Sequence, residues 1–339
     1  VRGAIDNVWG KKIEDAEALG ETGMKPMIAV VHGGTSAEKA ASTASADFIA
    51  RGLVEKGHEV KLVEFDAEIA ATLRALRPQL VFVAVQGKHH GDGFLQSICE
   101  DLQLPYTGTK AVAAALINDK NRSKELCRSA GIRTPEHVYL TRQQFASLSD
   151  TEVAGKIEGV LTYPMVAKAV GQGGGYGLAY LAARQDLARL GGLFDFDEAI
   201  IVEAFVHGTF ITSSILEDKQ ELTVLAPLSL RQDHCSLDPI EAYNRCYEIV
   251  EPNLSPAGQA EIDRFSREVF RLFGAKAYAR IDLIMEAATG SLNFIEINAV
   301  PGLKPSSFYP QAALRRGLLL PDLLEIIINS EIQGGIGRA

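Results

Sequence analysis

NFIEINAVPG, residues 293–302, sets Glu296 and Asn298 two positions apart in an otherwise apolar run that Pro301 and Gly302 bring to a stop. Side chains along a strand alternate between faces, so Glu296 and Asn298 project together while Phe294, Ile295 and Ile297 are left to pack. The preceding run YARIDLIM, residues 278–285, repeats the pattern, with Arg280 and Asp282 sharing one face. If the two strands pair as a hairpin through a turn containing Gly290, then Asp282, Glu296 and Asn298 converge. Three oxygen donors without His or Cys nearby suit a hard cation such as Mg²⁺, held by one or two carboxylates and completed by phosphate oxygens; zinc is disfavoured. A hairpin with one solvated polar face, on which Arg280 and Glu296 form a surface ion pair, would show the same alternation. The metal reading therefore needs a phosphate partner.

GQGGGYG, residues 171–177, supplies a candidate. It follows a strand ending in Lys168 and leads into the short apolar strand LAYL, so its glycines sit at a hairpin tip and not at the start of a helix. That context excludes a Walker A loop, which needs Gly-Lys-Ser/Thr entering a helix, and a dinucleotide fingerprint, which needs strand, turn and helix. What remains is a flap whose backbone N–H groups can approach phosphate oxygens, with Lys168 adding a charge at its root; the bland alternative is a flexible surface hairpin with an exposed lysine. Lys120, in NDKNRSK, has a weaker claim, since a helix-start lysine is usually solvated. In VVHGGTSAEK the spacing of Thr35 and Glu38 reads equally well as a capping box. His89 and His90, in QGKHHGDG, lie in a polar loop and carry no ligand signal.

A chain of 339 residues has room for two or three domains at ~150 residues each. The net charge of −9 disfavours bulk binding to nucleic acid or to an anionic membrane. Cys99, Cys127, Cys235 and Cys246 lack CxxC spacing and read as reduced thiols, which points to the cytoplasm. The longest apolar runs, such as AVAAALI from Ala111, fall short of the ~18 residues of a membrane span, so no membrane contact is expected. Residues 1–26 carry Ile5, Val8, Trp9, Ile13 and Ala16 at helical spacing and receive no role.

From Met27 the strands MIAVVH, EVKLVEF and LVFVAV alternate with the helices SAEKAASTASADFIARGLVEKG and AEIAATLRAL, the pattern of a parallel sheet. Short helices follow near 93–102 and 109–117, then a helix over NDKNRSKELCRSAG closed by Gly131, with Pro135 soon after marking a domain boundary. Beyond it come LTVLAPLSL, the long helix PAGQAEIDRFSREVFRLFG and the hairpin pair. The architecture reads as α/β in the first third and α+β afterwards.

Taken together, HGGTSAEK, GDGFLQSICEDLQLPYTGTKAVAAALINDKNRSK, VAKAVGQGGGYG, ARIDL and FIEINAVPG resemble, in order from about residue 27 to 330, the D-alanine–D-alanine ligase group of ATP-grasp enzymes. The resemblance implies an ATP-grasp fold behind an N-terminal parallel-sheet (pre-ATP-grasp) domain. The divisions drawn are residues 1–26 as an extension, 27–118 as the N-terminal domain, 119–205 as the middle subdomain with the flap, and 206–339 as the C-terminal subdomain with the metal site. It implies an ATP-dependent ligase that makes an amide through an acyl phosphate and releases ADP and phosphate.

By the same resemblance, ATP is contacted by Lys120, Lys168, the flap glycines Gly173, Gly174 and Gly175, and the strand and hinge residues Glu203, Phe205, Val206 and Thr209. Asp282, Glu296 and Asn298 hold two Mg²⁺ ions, for which Mn²⁺ is an acceptable substitute. Arg280 steadies the oxyanion, and Glu38 holds the amino group of the first amino-acid-like substrate. Gly302, Lys304, Ser307 and Phe308 line the second substrate's site. A homodimer is what the family suggests.

The departures fall where the family closes over its substrates. Gly174 and Gly175 stand where the family has flap serines, Tyr243 and Asn244 where its mobile loop carries a lysine and a tyrosine, Thr209 where it has an acidic ribose ligand, and Gln86 where it has a histidine. Three readings stay open: a D-Ala–D-Ala ligase of cell-wall synthesis, a divergent ligase of other amino acids, and a nucleotide-binding protein without ligase activity.

Overall fold

A computed structural model describes residues 26–87, 92–232 and 247–335. His89, His90, Cys235, Tyr243, Asn244, Cys246 and almost all of the N-terminal extension lie outside the described residues.

The N-terminal unit alternates β1 (Met27–Gly33), α1 (Lys39–Glu55), β2 (Glu59–Phe65), α2 (Ile69–Leu76) and β3 (Leu80–Val83). Its sheet has the order β2-β1-β3, with β1 parallel to both neighbours. Because the central strand is covered on both faces, it is apolar without alternation, and Ile28, Ala29, Val30 and Val31 are all buried. Helices α3 (Phe94–Asp101), α4 (Ala111–Asn118) and α5 (Lys120–Ser129) follow. Asp119 caps α5 by accepting the Arg122 N–H at 3.0 Å.

The second sheet runs β4 (His137–Thr141), β7 (Ala199–Ala204), β5 (Met165–Ala169), β6 (Leu178–Leu181), antiparallel throughout. It has its own core around Leu140, Ile157, Met165, Ala167 and Val202. Helices α6 (Arg142–Ser147) and α7 (Asp150–Glu158) both start on complete capping boxes, Thr141 with Gln144 and Ser149 with Glu152. A short helix, α8 (Leu190–Leu193), precedes β7.

The third sheet runs β11 (Tyr247–Val250), β10 (Leu228–Gln232), β8 (Gly208–Asp218), β12 (Tyr278–Glu286), β13 (Leu292–Asn298), with β9 (Glu221–Val224) also paired to β8. LTVLAPLSL is thus two strands, β9 and β10, interrupted at Pro227, which has no N–H to give to a ladder. Helix α9 (Pro256–Leu272) covers one face, and α10 (Phe308–Leu314) and α11 (Leu320–Gly335) are the last elements among the described residues. One hydrophobic core joins Val31 and Val83 of the first sheet to Cys127 of α5 and to Ile281, Phe294 and Ile297 of the third. Another joins Ile28 and Leu53 to Tyr309, Leu323 and Ile327. The first and third sheets are therefore locked together, while the second keeps a separate core.

The hairpin is more irregular than alternation predicts. Asp282 pairs with Glu296 and Leu283 with Phe294, so the register shifts at this point and Ile295 has no partner. Strict alternation would put Phe294 on the face of Glu296; the bulge turns it into the core beside Ile281 and Ile297. Among the described residues, no helix is long and apolar enough to cross a membrane.

Candidate active site

Register places Arg280 opposite Asn298 and Asp282 opposite Glu296, with Thr212 of β8 on the far side of Asp282. The Asp282 carboxylate accepts from Thr212 Oγ1 at 2.6 Å and takes a two-pronged contact from Arg280, whose Nε lies 3.0 Å from Oδ1 and Nη2 2.7 Å from Oδ2. Arg280 Nη2 also lies 3.8 Å from Glu296 Oε1, and Lys120 Nζ is 3.3 Å from Glu296 Oε2. With only 15% of the Arg280 side chain exposed, this is an enclosed charge cluster and not a surface ion pair. Burial pushes the Glu296 carboxyl up, but Lys120, Arg280 and Lys168 outweigh it and hold Glu296 below the ordinary carboxylate range.

Lys168 and Glu203 sit on neighbouring strands, since Lys168 faces Ile201 and Val166 faces Glu203 across the β5–β7 ladder. Lys168 Nζ contacts Glu203 Oε1, and Lys124 Nζ lies 2.8 Å from Glu203 Oε2. Lys124 was not singled out by the sequence, although it follows Lys120 by four residues and so shares its face of α5. Burial opposes both charges. In Lys124, burial wins and, with repulsion from Lys168, pulls the ammonium below its ordinary value against the pull of Glu203. In Glu203 it loses, because two cations share one anion, and the carboxyl falls to about 2.

Glu38 is not a helix cap. It occupies the N-cap position of α1 yet makes no capping bond, so the capping-box reading is corrected. Its carboxylate instead reaches the flap, where the Gly173 N–H donates to it. A Cβ on Gly173 would come within 2.9 Å of Glu38 Oε1, so any larger residue there would oblige the Glu38 carboxylate to move. Burial and the facing Glu296 charge push Glu38 above the ordinary carboxylate range, against Lys120 and Arg280. The flap itself is anchored at its root: Lys120 Nζ donates to the Gln172 carbonyl, and the Gly171 N–H donates to Asp197 Oδ2 at 2.7 Å. Gly174 and Gly175 form the tip with φ of +61° and +80°.

The remaining predicted residues border this cluster. The Arg280 guanidinium lies 5.7 Å from the centre of the Phe308 ring. Ser307 precedes α10 without capping it, and a Cβ on Gly302 would lie 3.0 Å from Ser307 Oγ. Lys304 is half-buried in the same loop and accepts the Ser307 N–H on its carbonyl at 2.8 Å. Phe205 and Val206 are half-buried after β7, with Phe205 packed edge-on to Tyr180 and His207, whereas Thr209 is exposed on β8. Asn298 uses Oδ1 to accept the Val300 N–H at 2.9 Å.

The donor set fits a hard cation only in company. Asp282, Glu296 and Asn298 offer oxygen atoms from one face of the hairpin, and their carboxylates are matched by Arg280 and Lys120. Among the described residues no three His, Cys, Asp or Glu side chains form a metal cage. This suits Mg²⁺, which takes one or two carboxylates and fills its remaining positions with water and phosphate oxygens.

Residues 126–329 match the family described as D-ala D-ala ligase C-terminus. The chain belongs to the D-alanine–D-alanine ligase family. It is 31% identical over 310 residues to the D-alanine–D-alanine ligase of Moorella thermoacetica, spanning 90% of this chain and 99% of that one. Its fold is shared with the Bacillus anthracis D-alanine–D-alanine ligase solved with ATP, at a TM-score of 0.77, 23% identity, and coverage of 93% of this chain and 100% of that one. The VanG D-Ala:D-Ser ligase of Enterococcus faecalis matches at a TM-score of 0.76 and 23% identity, over 91% of this chain and 99% of that one. The chain is accordingly an ATP-dependent, peptide-bond-forming ligase of the D-alanine–D-alanine ligase type with an ATP-grasp fold.

Proposed function

We propose that this ligase joins the carboxylate of D-alanine to the amine of a second small D-amino acid, within the middle and C-terminal subdomains drawn at 119–205 and 206–339. The observation that carries the reading is the convergence of Glu38 and Gly173 on Glu296, Lys120 and Arg280. An ammonium-binding carboxylate there lies beside the groups that receive phosphate. The relative from Moorella thermoacetica is named for D-alanine at both positions, and VanG for D-serine as acceptor.

Glu38, half-buried and electrostatically unsatisfied by Glu296, gains a counter-charge when the donor's ammonium binds. The donor carboxylate then attacks the γ-phosphorus of ATP, the bond to the β-phosphate oxygen breaks, and ADP leaves. Lys120, Lys168 and the N–H groups of Gly173, Gly174 and Gly175 draw the phosphates in. Phe205 and Val206 flank the base and Glu203 accepts from its amino group, with Thr209 near the ribose. Asp282, Glu296 and Asn298 would hold Mg²⁺, or Mn²⁺ in its place, which would neutralise charge on the transferring phosphoryl group.

The acceptor amine attacks the acyl phosphate carbon, and the tetrahedral oxyanion is met by Arg280 and by the Gly302 backbone. Phosphate leaves with the C–O bond pair and the amine releases its proton. Ser307, and Lys304 by charge, hold the acceptor carboxylate, with Phe308 limiting its side chain.

Incubation with ATP, Mg²⁺ and pooled D- and L-amino acids, followed by mass analysis, tests the assignment. A D-alanine-containing dipeptide is expected. Products built only from L-amino acids would overturn the substrate class, and an acceptor amide used as well as the free acid would overturn the roles of Ser307 and Lys304.

A further inference from the structure

Lys124 is fully buried and has no part in the steps above, yet its ammonium is aimed at the nucleotide side of the site. It donates to Thr134 Oγ1 at 3.0 Å, and Thr134 Oγ1 donates in turn to the Phe294 carbonyl at 3.0 Å, next to the hairpin bulge. Its second partner is Glu203 Oε2, at 2.8 Å. The other Glu203 oxygen is held by Lys168, whose side chain retains 13% of its exposure and lies on the flap strand. One anion is therefore divided between a fixed cation and one that borders the open site.

The arrangement poses a conflict. Under the nucleotide reading proposed above, on which this inference rests, Lys168 must turn to the triphosphate and Glu203 must present an oxygen to the base, but the two hold each other. We infer that Lys124 is a positioning residue that keeps Glu203 paired and oriented while Lys168 passes from Glu203 to the phosphates. Separating a buried carboxylate from its only cation leaves an uncompensated charge, which is strongly unfavourable. With Lys124 in place Glu203 never reaches that state, so Lys168 is released at low cost. Without Lys124, Glu203 becomes a competitor of the phosphates for Lys168.

Inorganic tripolyphosphate is the probe, because it has no base for Glu203 to meet; its binding to the full-length protein with Mg²⁺ is measured by calorimetry. In Lys124→Met the affinity should fall about tenfold or more, the scale of a hydrogen bond to a charged group. In Lys124→Met/Glu203→Gln it should return to within about threefold of wild type, because no anion retains Lys168. A packing role predicts the opposite for the double variant, which alters two buried side chains. Unchanged binding in Lys124→Met, or a double variant as weak as Lys124→Met, overturns the inference. Should Lys124→Met fail to fold, the double variant alone decides: binding within about threefold of wild type or tighter supports the hand-over, and weaker binding contradicts it. Lys168→Met distinguishes the two levels of the argument. If it binds tripolyphosphate like wild type, the nucleotide reading fails and the hand-over with it; if it weakens binding while Lys124→Met does not, the hand-over alone fails.

Discussion

The β12–β13 hairpin and the β5–β6 flap face each other across the site, and they hold their polar groups by different means. On the hairpin, side chains do the work: Arg280, Asp282 and Thr212 are bound to one another at 2.6–3.0 Å on strands paired on both sides. On the flap the groups are backbone N–H, presented by glycines whose positive φ few other residues adopt, and the segment is held through its root and through the Gly173 N–H on Glu38. Side chains thus set the positions of charge on one side of the site, and backbone groups line the other. Glu38 belongs to neither and touches both, through the Gly173 N–H and the charge of Glu296.

Breaking the hairpin side should cost most. Glu296→Gln removes the carboxylate proposed to hold Mg²⁺ and the partner of Lys120, and kcat should fall about 10²–10³-fold with the fold retained, as judged by thermal melting. Turnover near wild type in the folded variant would remove the hairpin from the chemistry. On the flap the damage should be narrower. Gly173→Ala drives a methyl toward Glu38 Oε1, so the KM for the first substrate should rise about tenfold with a smaller change in kcat. An unchanged KM would mean that Glu38 and the flap do not cooperate.

How much of this was legible follows from which interactions are local. Strand alternation was enough to bring Asp282, Glu296 and Asn298 together on a hairpin, but not to set their register: counted from the turn, Asp282 would meet Ile295, and the shift after Leu283 brings it opposite Glu296. The bulge at Ile295 escaped, since it answers to core packing around Phe294 and not to the strand's own pattern. Glu38 was legible as a polar residue at a helix start, where local spacing could not separate a cap from a binding group; its partner on the flap lies far along the chain. Lys124 escaped for a related reason. A lysine four residues after another looks solvated until β7 brings Glu203 against it.

The smallest expected effect concerns Glu38 and is on stability. Its folded-state pKa is raised by burial and by Glu296, so the protonated form is favoured by folding and that contribution is lost as pH rises through the folded pKa. Glu38→Gln should therefore melt up to about 2–4 °C above wild type at neutral pH, with the difference vanishing below the ordinary carboxylate range. A gain that persists in acid would point to packing and not to charge, and a loss at neutral pH would contradict the facing arrangement of Glu38 and Glu296.

If the hairpin and flap together transfer a γ-phosphoryl group to a carboxylate, the nucleotide products must show it. Chromatographic separation of the nucleotide products, with the dipeptide measured in the same sample, tests it most directly. ADP and phosphate are expected, one of each per amide bond and dependent on both amino acids. AMP and pyrophosphate would contradict it, because an adenylate would then be the activated species and the phosphate-facing residues would have been assigned to the wrong reaction.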